Sequence, residues 1–198
     1  RIVKGAREKA SIAGEIVAEH FQAGKRQQWI VYCDSRNQLN EVLGLLKSKG
    51  IDAQEYHSQM QGDKERTLRD FELNGGVVVS IRCLDEGVDI PSVTHALILA
   101  SSKNPREFIQ RRGRVLRRFP GKHLSFIHDL LVLPGESASE EQNSPSSTAI
   151  LEGELARAIE FGNMALNPGA ITELQRIADR YALDIGSLVD EGFEDESD

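Results

Sequence analysis

At 198 residues and 22.0 kDa, with 39% hydrophobic and 28% charged residues, the chain can bury one full core and a small appendage but not two ordinary domains. Its apolar content excludes a disordered chain, and no apolar run nears the roughly 20 residues of a membrane helix. The net charge of −7 hides an asymmetry: residues 1–133 hold 21 Lys and Arg against 16 Asp and Glu, residues 134–198 only 3 against 15.

The opening Arg1–Arg7 lacks both an initiator Met and the apolar stretch of a signal peptide, so the chain reads as a piece of a longer protein. Apolar residues at helical spacing predict a helix from Gly5 to about Gly24. Trp29-Ile30-Val31-Tyr32-Cys33 is a continuous apolar run, as in a strand covered on both faces. Asn37 to Lys49 is an amphipathic helix that Gly50 ends, Ala53 to His57 a weaker strand, and Gly62 to Asn74 a polar helix anchored by Leu68 and Phe71. Val77 to Ile81 and His95 to Ala100 are further buried strands, Pro105 opens a helix, and Leu124 to Leu131 closes the series. Strands that are apolar throughout and alternate with helices predict an α/β fold, a parallel sheet with helices on both faces.

Beyond Pro134 the composition shifts. The predicted organisation is a connecting helix over 1–26, the α/β domain over 27–134, a Ser/Glu-rich flexible linker over 135–148, a helical extension over 149–189 and an acidic tail over 190–198. Cys33 and Cys83 form no CxxC and have no His at metal-ligand spacing, so they read as reduced, half-buried thiols of a cytosolic protein, with no disulfide and no metal site.

Ligands of open parallel sheets bind beyond the carboxyl ends of the strands, which singles out the loops after Cys33, His57, Ile81 and Ala100. The loop from Ser80 to Pro91 spends a glycine, Gly87, and places Asp89 before Ile90-Pro91. Asp85-Glu86 could pass for a magnesium pair, but the chain holds no phosphate cradle beside which such a pair would work. Lys103 to Lys122 carries eight basic residues against one acid, Glu107. Within it a helix would put Gln110, Arg114 and Arg117 on one face, with Phe108, Ile109, Val115 and Leu116 opposite. Two guanidiniums and an amide converging on one spot suit a phosphate, because each Arg offers a planar fork of donors. Gly113 costs such a helix about 1 kcal/mol and marks a close approach or a helix end. Arg112 falls inside the apolar stripe, so either its stem snorkels or the helix is irregular there.

These segments resemble motifs V and VI of superfamily-2 helicases. Gln110, Gly113, Arg114 and Arg117 match the motif VI form Q-x-x-G-R-x-x-R, and Gly87-Val88-Asp89-Ile90-Pro91 matches the end of motif V. Ile30 to Cys33 with Asp34-Ser35-Arg36 resembles motif IV, and Tyr56-His57 with Gln61, Arg66 and Phe71 resembles block IVa. The likeness spans roughly residues 28–134 and implies a three-layer RecA-like domain, the second of a two-domain motor. The wording Leu84-Asp85-Glu86-Gly87 is closer to DEAH-like and restriction- or repair-type DNA translocases than to DEAD-box RNA helicases.

The resemblance implies roles for individual residues. Arg114 and Arg117 would be arginine fingers reaching the ATP γ-phosphate, Gln110 a sensor of that phosphate or its attacking water, and Gly87, Asp89 and Gly113 the lining of the ATP cleft. Ser35, Arg36, His57, Ser58, Ser80 and Arg82 would face the nucleic-acid backbone, DNA favoured over RNA. Many relatives have a Thr where this chain has Ile81, so that hydroxyl contact falls to Ser80 or is absent. No G-x-x-x-x-G-K-[ST] occurs; ATP phosphates and Mg would sit on an N-terminal RecA-like partner domain, and this chain alone would hydrolyse ATP negligibly. The implied setting is the cytoplasm or nucleoid, with no membrane partner.

Blander roles stand beside these. Arg114 and Arg117 could line a salt-bridged surface, and His57 divides evenly between a hydrogen-bonded strand end and a backbone contact. Trp29 reads as core, and His20, His95, His123 and His128 as ordinary polar or core residues. A nucleic-acid or protein-binding module with no motor is the rival function, though such a module has no use for Gln110, Arg114 and Arg117 together. A Rossmann-like enzyme such as a nucleotide-sugar transferase lacks its glycine-rich first turn here.

Overall fold

The computed structural model describes residues 2–22, 25–81, 90–99, 117–131, 133, 145–167, 169–184 and 186. Arg82, Gly87, Asp89, Gln110, Gly113 and Arg114, with Cys83 and the acidic tail, lie outside the described residues. The chain divides into two compact units, residues 1–130 and 131–198.

The first unit runs α1 (Ile2–His20), β1 (Gln28–Cys33), α2 (Arg36–Ser48), β2 (Ala53–Tyr56), α3 (Lys64–Asn74), β3 (Gly76–Ile81), β4 (His95–Ile98) and β5 (Phe126–Asp129). The strands form one five-stranded sheet in the order β2-β3-β1-β4-β5, every pairing parallel. The order explains the apolar runs. β1 lies at the centre, and all six of its residues are buried, as are all four of β4. The expectation that every strand is apolar throughout fails at the two edges. β2 carries Gln54 and Glu55 and β5 carries His128 and Asp129, and neither outer strand of the described sheet is buried along its whole length.

Handedness places the helices. The step from β1 to β2 runs one way across the sheet and the step from β2 to β3 runs back, so right-handed crossovers set α2 and α3 on opposite faces. On the α2 face, Leu39, Val42 and Leu46 pack with Trp29, Val31, Cys33, Val77, Val79, Leu97 and Leu99. α1 joins the same core through Ala10, Ala13 and Val17; the helix read from sequence as a connecting segment is part of the domain's interior. The alternate residues Ile30, Tyr32, Val78, Ser80, Ala96 and Ile98 point to the other face and are also buried. α3 is fastened by the Gln28 side chain, whose Nε2 donates to the carbonyls of Phe71 and Glu72, both at 3.0 Å. Gly75, which follows α3, has φ 76°, and a Cβ there would come 2.6 Å from the Gln27 carbonyl oxygen. Only glycine fits that turn.

Cys33 is fully buried rather than half-buried, and burial, helped by Asp34, pushes its thiol up to about 12. It is an inert core residue.

The second unit holds α4 (Pro145–Met164) and α5 (Gly169–Arg180). α4 begins inside the stretch expected to be linker: Pro145 suits a first turn, where no amide donor is needed, and the polar residues after it hid the helix. Leu151, Leu155, Ala158 and Ile159 recur at helical spacing and pack against Leu174 and Ala178. Among the described residues no helix is long and apolar enough to cross a membrane.

Candidate nucleotide and nucleic-acid face

Because all strands run the same way, their carboxyl ends share one rim. Cys33 pairs with Ile81, Tyr32 with both Ser80 and Ile98, and Tyr56 with Ser80. The residues that leave this rim are Asp34-Ser35-Arg36 from β1, His57-Ser58 from β2, Arg82 onward from β3 and the segment after Leu99 from β4. Both candidate motif stretches follow β3 and β4 in sequence, and most of their residues lie outside the described ones.

At β1, Ser35 caps α2, its hydroxyl accepting from the Gln38 amide at 3.4 Å. Gln38, buried on the first turn, answers by accepting from the Asp34 amide through Oε1 at 2.8 Å. This is a capping box displaced by one residue. It holds the loop so that Arg36, exposed, stands at the amino end of α2, where the helix dipole and open amides favour an anion.

At β2, His57 is buried and both ring nitrogens are engaged. Nδ1 accepts from the Gln59 amide at 3.2 Å, which leaves Nε2 to donate to Glu55 Oε2 at 3.2 Å. The ring braces the turn, and Ser58, exposed beside it, gives its carbonyl to Lys64 Nζ at 2.8 Å. At β3, Ser80 is wholly buried and its Oγ finds no hydrogen-bond partner. Of the five described residues expected to face nucleic acid, Ser35, Arg36 and Ser58 are exposed at the rim, whereas His57 and Ser80 lie beneath it. In this structure the buried His57 and Ser80 support the rim from beneath.

At β4, Lys9 reaches from α1 to donate to the Leu99 carbonyl at 3.3 Å, tying the first helix to the strand end that precedes the basic segment. Farther on, Arg117 and Arg118 are exposed. Lys122 Nζ donates to the carbonyls of Pro91 at 2.8 Å and Val93 at 2.9 Å, two and four residues past Asp89, and burial lowers its pKa. Neither Lys9, Gln38, Glu55 nor Lys122 stood out as a site residue in the sequence. A signal existed for three of them: Ser35-x-x-Gln38 is a capping-box spacing, Glu55 and His57 share a strand face, and Lys9 adjoins the apolar stripe of α1. Among the described residues no group of three or more His, Cys, Asp or Glu could hold a metal ion.

A parallel five-stranded sheet with helices on both sides is the RecA-like α/β fold, and the family match identifies it as the C-terminal domain of a superfamily-2 helicase. The chain belongs to the helicase conserved C-terminal domain family, whose model matches residues 8–119. It is similar to a probable ATP-dependent helicase of Methanocaldococcus jannaschii, 36% identical over 120 residues that take in 56% of this chain and 15% of that protein. It is also similar to UvrABC system protein B of Lactococcus lactis, 28% identical over 148 residues, 71% of this chain and 20% of that protein. Among solved structures, the C-terminal domain of the DEAD-box protein Dbp5 shares the fold with a TM-score of 0.52 at 21% identity, covering 76% of this chain and 79% of that one. The chain thus spans a fifth or less of the length of these two curated relatives.

Proposed function

We propose that this chain is the second motor domain of an ATP-dependent nucleic-acid helicase or translocase, and that it supplies arginine fingers to ATP held by an N-terminal RecA-like domain. One observation carries the proposal: the Gly87–Pro91 and Gln110–Arg117 stretches both follow strands whose carboxyl ends share the rim that also presents Ser35, Arg36 and Ser58. In this mechanism the partner domain would hold the β- and γ-phosphates, and Mg²⁺ bound there would supply neutralisation of phosphate charge. Cleft closure brings Arg114 and Arg117 onto the charge that develops on the transferred phosphoryl, with Gln110 beside them and Gly87, Asp89 and Gly113 lining the cleft. Arg36 and the α2 amino terminus grip backbone phosphate, which positions a strand without reading its bases. Alternating grip by the two domains then moves the strand.

DNA is the favoured strand, on the wording of Leu84-Asp85-Glu86-Gly87; stimulation of ATPase by poly-dT above poly-U would bear this out, and the reverse order would overturn it. The test of the motor itself is Arg114→Ala in the protein that joins this domain to its ATP-holding partner. Turnover should fall by about 10³–10⁵, the usual worth of an arginine finger, while nucleic-acid affinity stays near normal. An unchanged ATPase rate would overturn the proposal. The 198-residue chain by itself should show negligible hydrolysis.

A further inference from the structure

Three rings stand in register across the sheet. Trp29 of β1 pairs with His95 of β4, and His95 with Phe126 of β5. Their centroids are 4.2 and 4.8 Å apart and their planes lie within 9° and 14° of parallel. The stack starts in the core, where Trp29 is fully buried, and finishes on β5, the last strand of the sheet, where Phe126 is 49% exposed. One face of the Phe126 ring is taken by His95, so among the described residues the ladder ends on a ring that is half exposed.

The surroundings of that edge are basic. Residues 117–128 contain Arg117, Arg118, Lys122, His123 and His128, and the first acid is Asp129 at the far end of β5. Arg118 and His123 are exposed, as are the apolar side chains of Phe119 and Leu124. The turn that carries them is held in place: Phe119 and Lys122 bridge one another, Gly121 takes φ 80°, and Lys122 is anchored to the carbonyls of Pro91 and Val93.

We infer that Phe126 is a stacking platform for a base of single-stranded nucleic acid, with the 117–123 turn neutralising the adjoining phosphates, at a place apart from the Ser35–Arg36 rim. This rests on the nucleic-acid function proposed above. A ring already held against His95 loses little side-chain freedom when a base lands on it. Stacking accepts any base, since each has a π-face, which suits a motor indifferent to sequence. An apolar protein partner would cover Phe119, Leu124 and Phe126 equally well, but it has no use for the basic side chains of Arg117, Arg118 and His123 beside them.

The test titrates a fluorescently labelled oligo-dT with the 198-residue chain at two salt concentrations, for wild type, Phe126→Leu, Phe126→Tyr and Arg36→Ala. Phe126→Leu keeps an apolar side chain but removes the ring, and should weaken binding about tenfold without changing the salt dependence; Phe126→Tyr should bind as wild type does. A 5-iodouracil oligomer should cross-link within residues 119–126. Trp29 fluorescence and circular dichroism report that each variant is folded. Wild-type affinity in Phe126→Leu, or cross-links confined to the rim, would overturn the inference while leaving the proposed function intact; wild type failing to bind the oligomer would sink both. If Phe126→Leu alters self-association in sedimentation and leaves oligonucleotide binding untouched, the patch is a protein interface and the inference falls.

Discussion

Burial of His95 beside two further histidines should make the fold sensitive to acid. His95 is pushed down from 6.5 to about 4, first by burial and then by His128 and His20; His128 is lowered by burial and by His20. The three imidazoles meet from β4, β5 and α1, with His20 and His128 stacked at 5.5 Å and Trp29 within 5.5 Å of His128. Between pH 6.5 and 4 the unfolded chain therefore carries a proton on residue 95 that the folded chain refuses. Stability is whole above pH 6.5, falls as the pH drops through that window and levels off below about 4. At 1.36 kcal/mol per pH unit the drop is worth about 3 kcal/mol, which water at the ring edges trims to about 2 kcal/mol. The perturbation is His95→Phe, which keeps a flat ring in the ladder and cannot titrate; Thr94 Oγ1 retains its two hydrogen bonds to Gln28. Urea unfolding, followed by the fluorescence of the single tryptophan at pH 7, 6, 5 and 4, measures the difference. Wild type should lose about 2 kcal/mol more than the variant over that range. Equal losses would show that His95 titrates normally and that the stack is not the cause.

Leu97→Ala should cost about 2–5 kcal/mol in the same assay, since the side chain is fully buried between α1, α2 and the sheet; a loss under 1 kcal/mol would mean that the core collapses around it. Ser35→Ala should cost about 1 kcal/mol through the lost cap and weaken oligonucleotide binding at high and low salt alike; unchanged affinity would detach the cap from the grip. Lys122→Met leaves the Pro91 and Val93 carbonyls without their donor and should lower the melting temperature by several degrees. Lys122→Arg should recover part of that loss, and a melting curve for Lys122→Met that overlays wild type would show the clamp to be idle.

The sequence showed what sits in the middle of the sheet more plainly than what sits at its margins. β1, β3 and β4 announce themselves as continuous apolar runs because they are covered on both faces. The edges do not: Ala53-Gln54-Glu55-Tyr56 is half polar because half of it meets water. The start of α4 is not legible because Pro145-Ser146-Ser147-Thr148 has a linker's composition, and the apolar residues that pack on α5 begin only at Leu151. His57 could be placed at a strand end, but its commitment to Glu55 and Gln59 depends on a turn geometry that composition does not encode. The ring ladder was hidden for a plainer reason. Residues 29, 95 and 126 are strangers along the chain and become neighbours only once the strand order is known.

That order also governs how the domain comes together. β1, the first strand of this sheet in chain order, finds its partners in strands near residues 77 and 95, and no two of the described strands are joined by a tight hairpin. Zipping up from a local nucleus is closed to such a topology; large loops must be closed before the central strand gains anything. A nascent chain halted before residue 98 should then remain protease-sensitive on the ribosome, and release from the stall should be followed by refolding in milliseconds to seconds rather than microseconds.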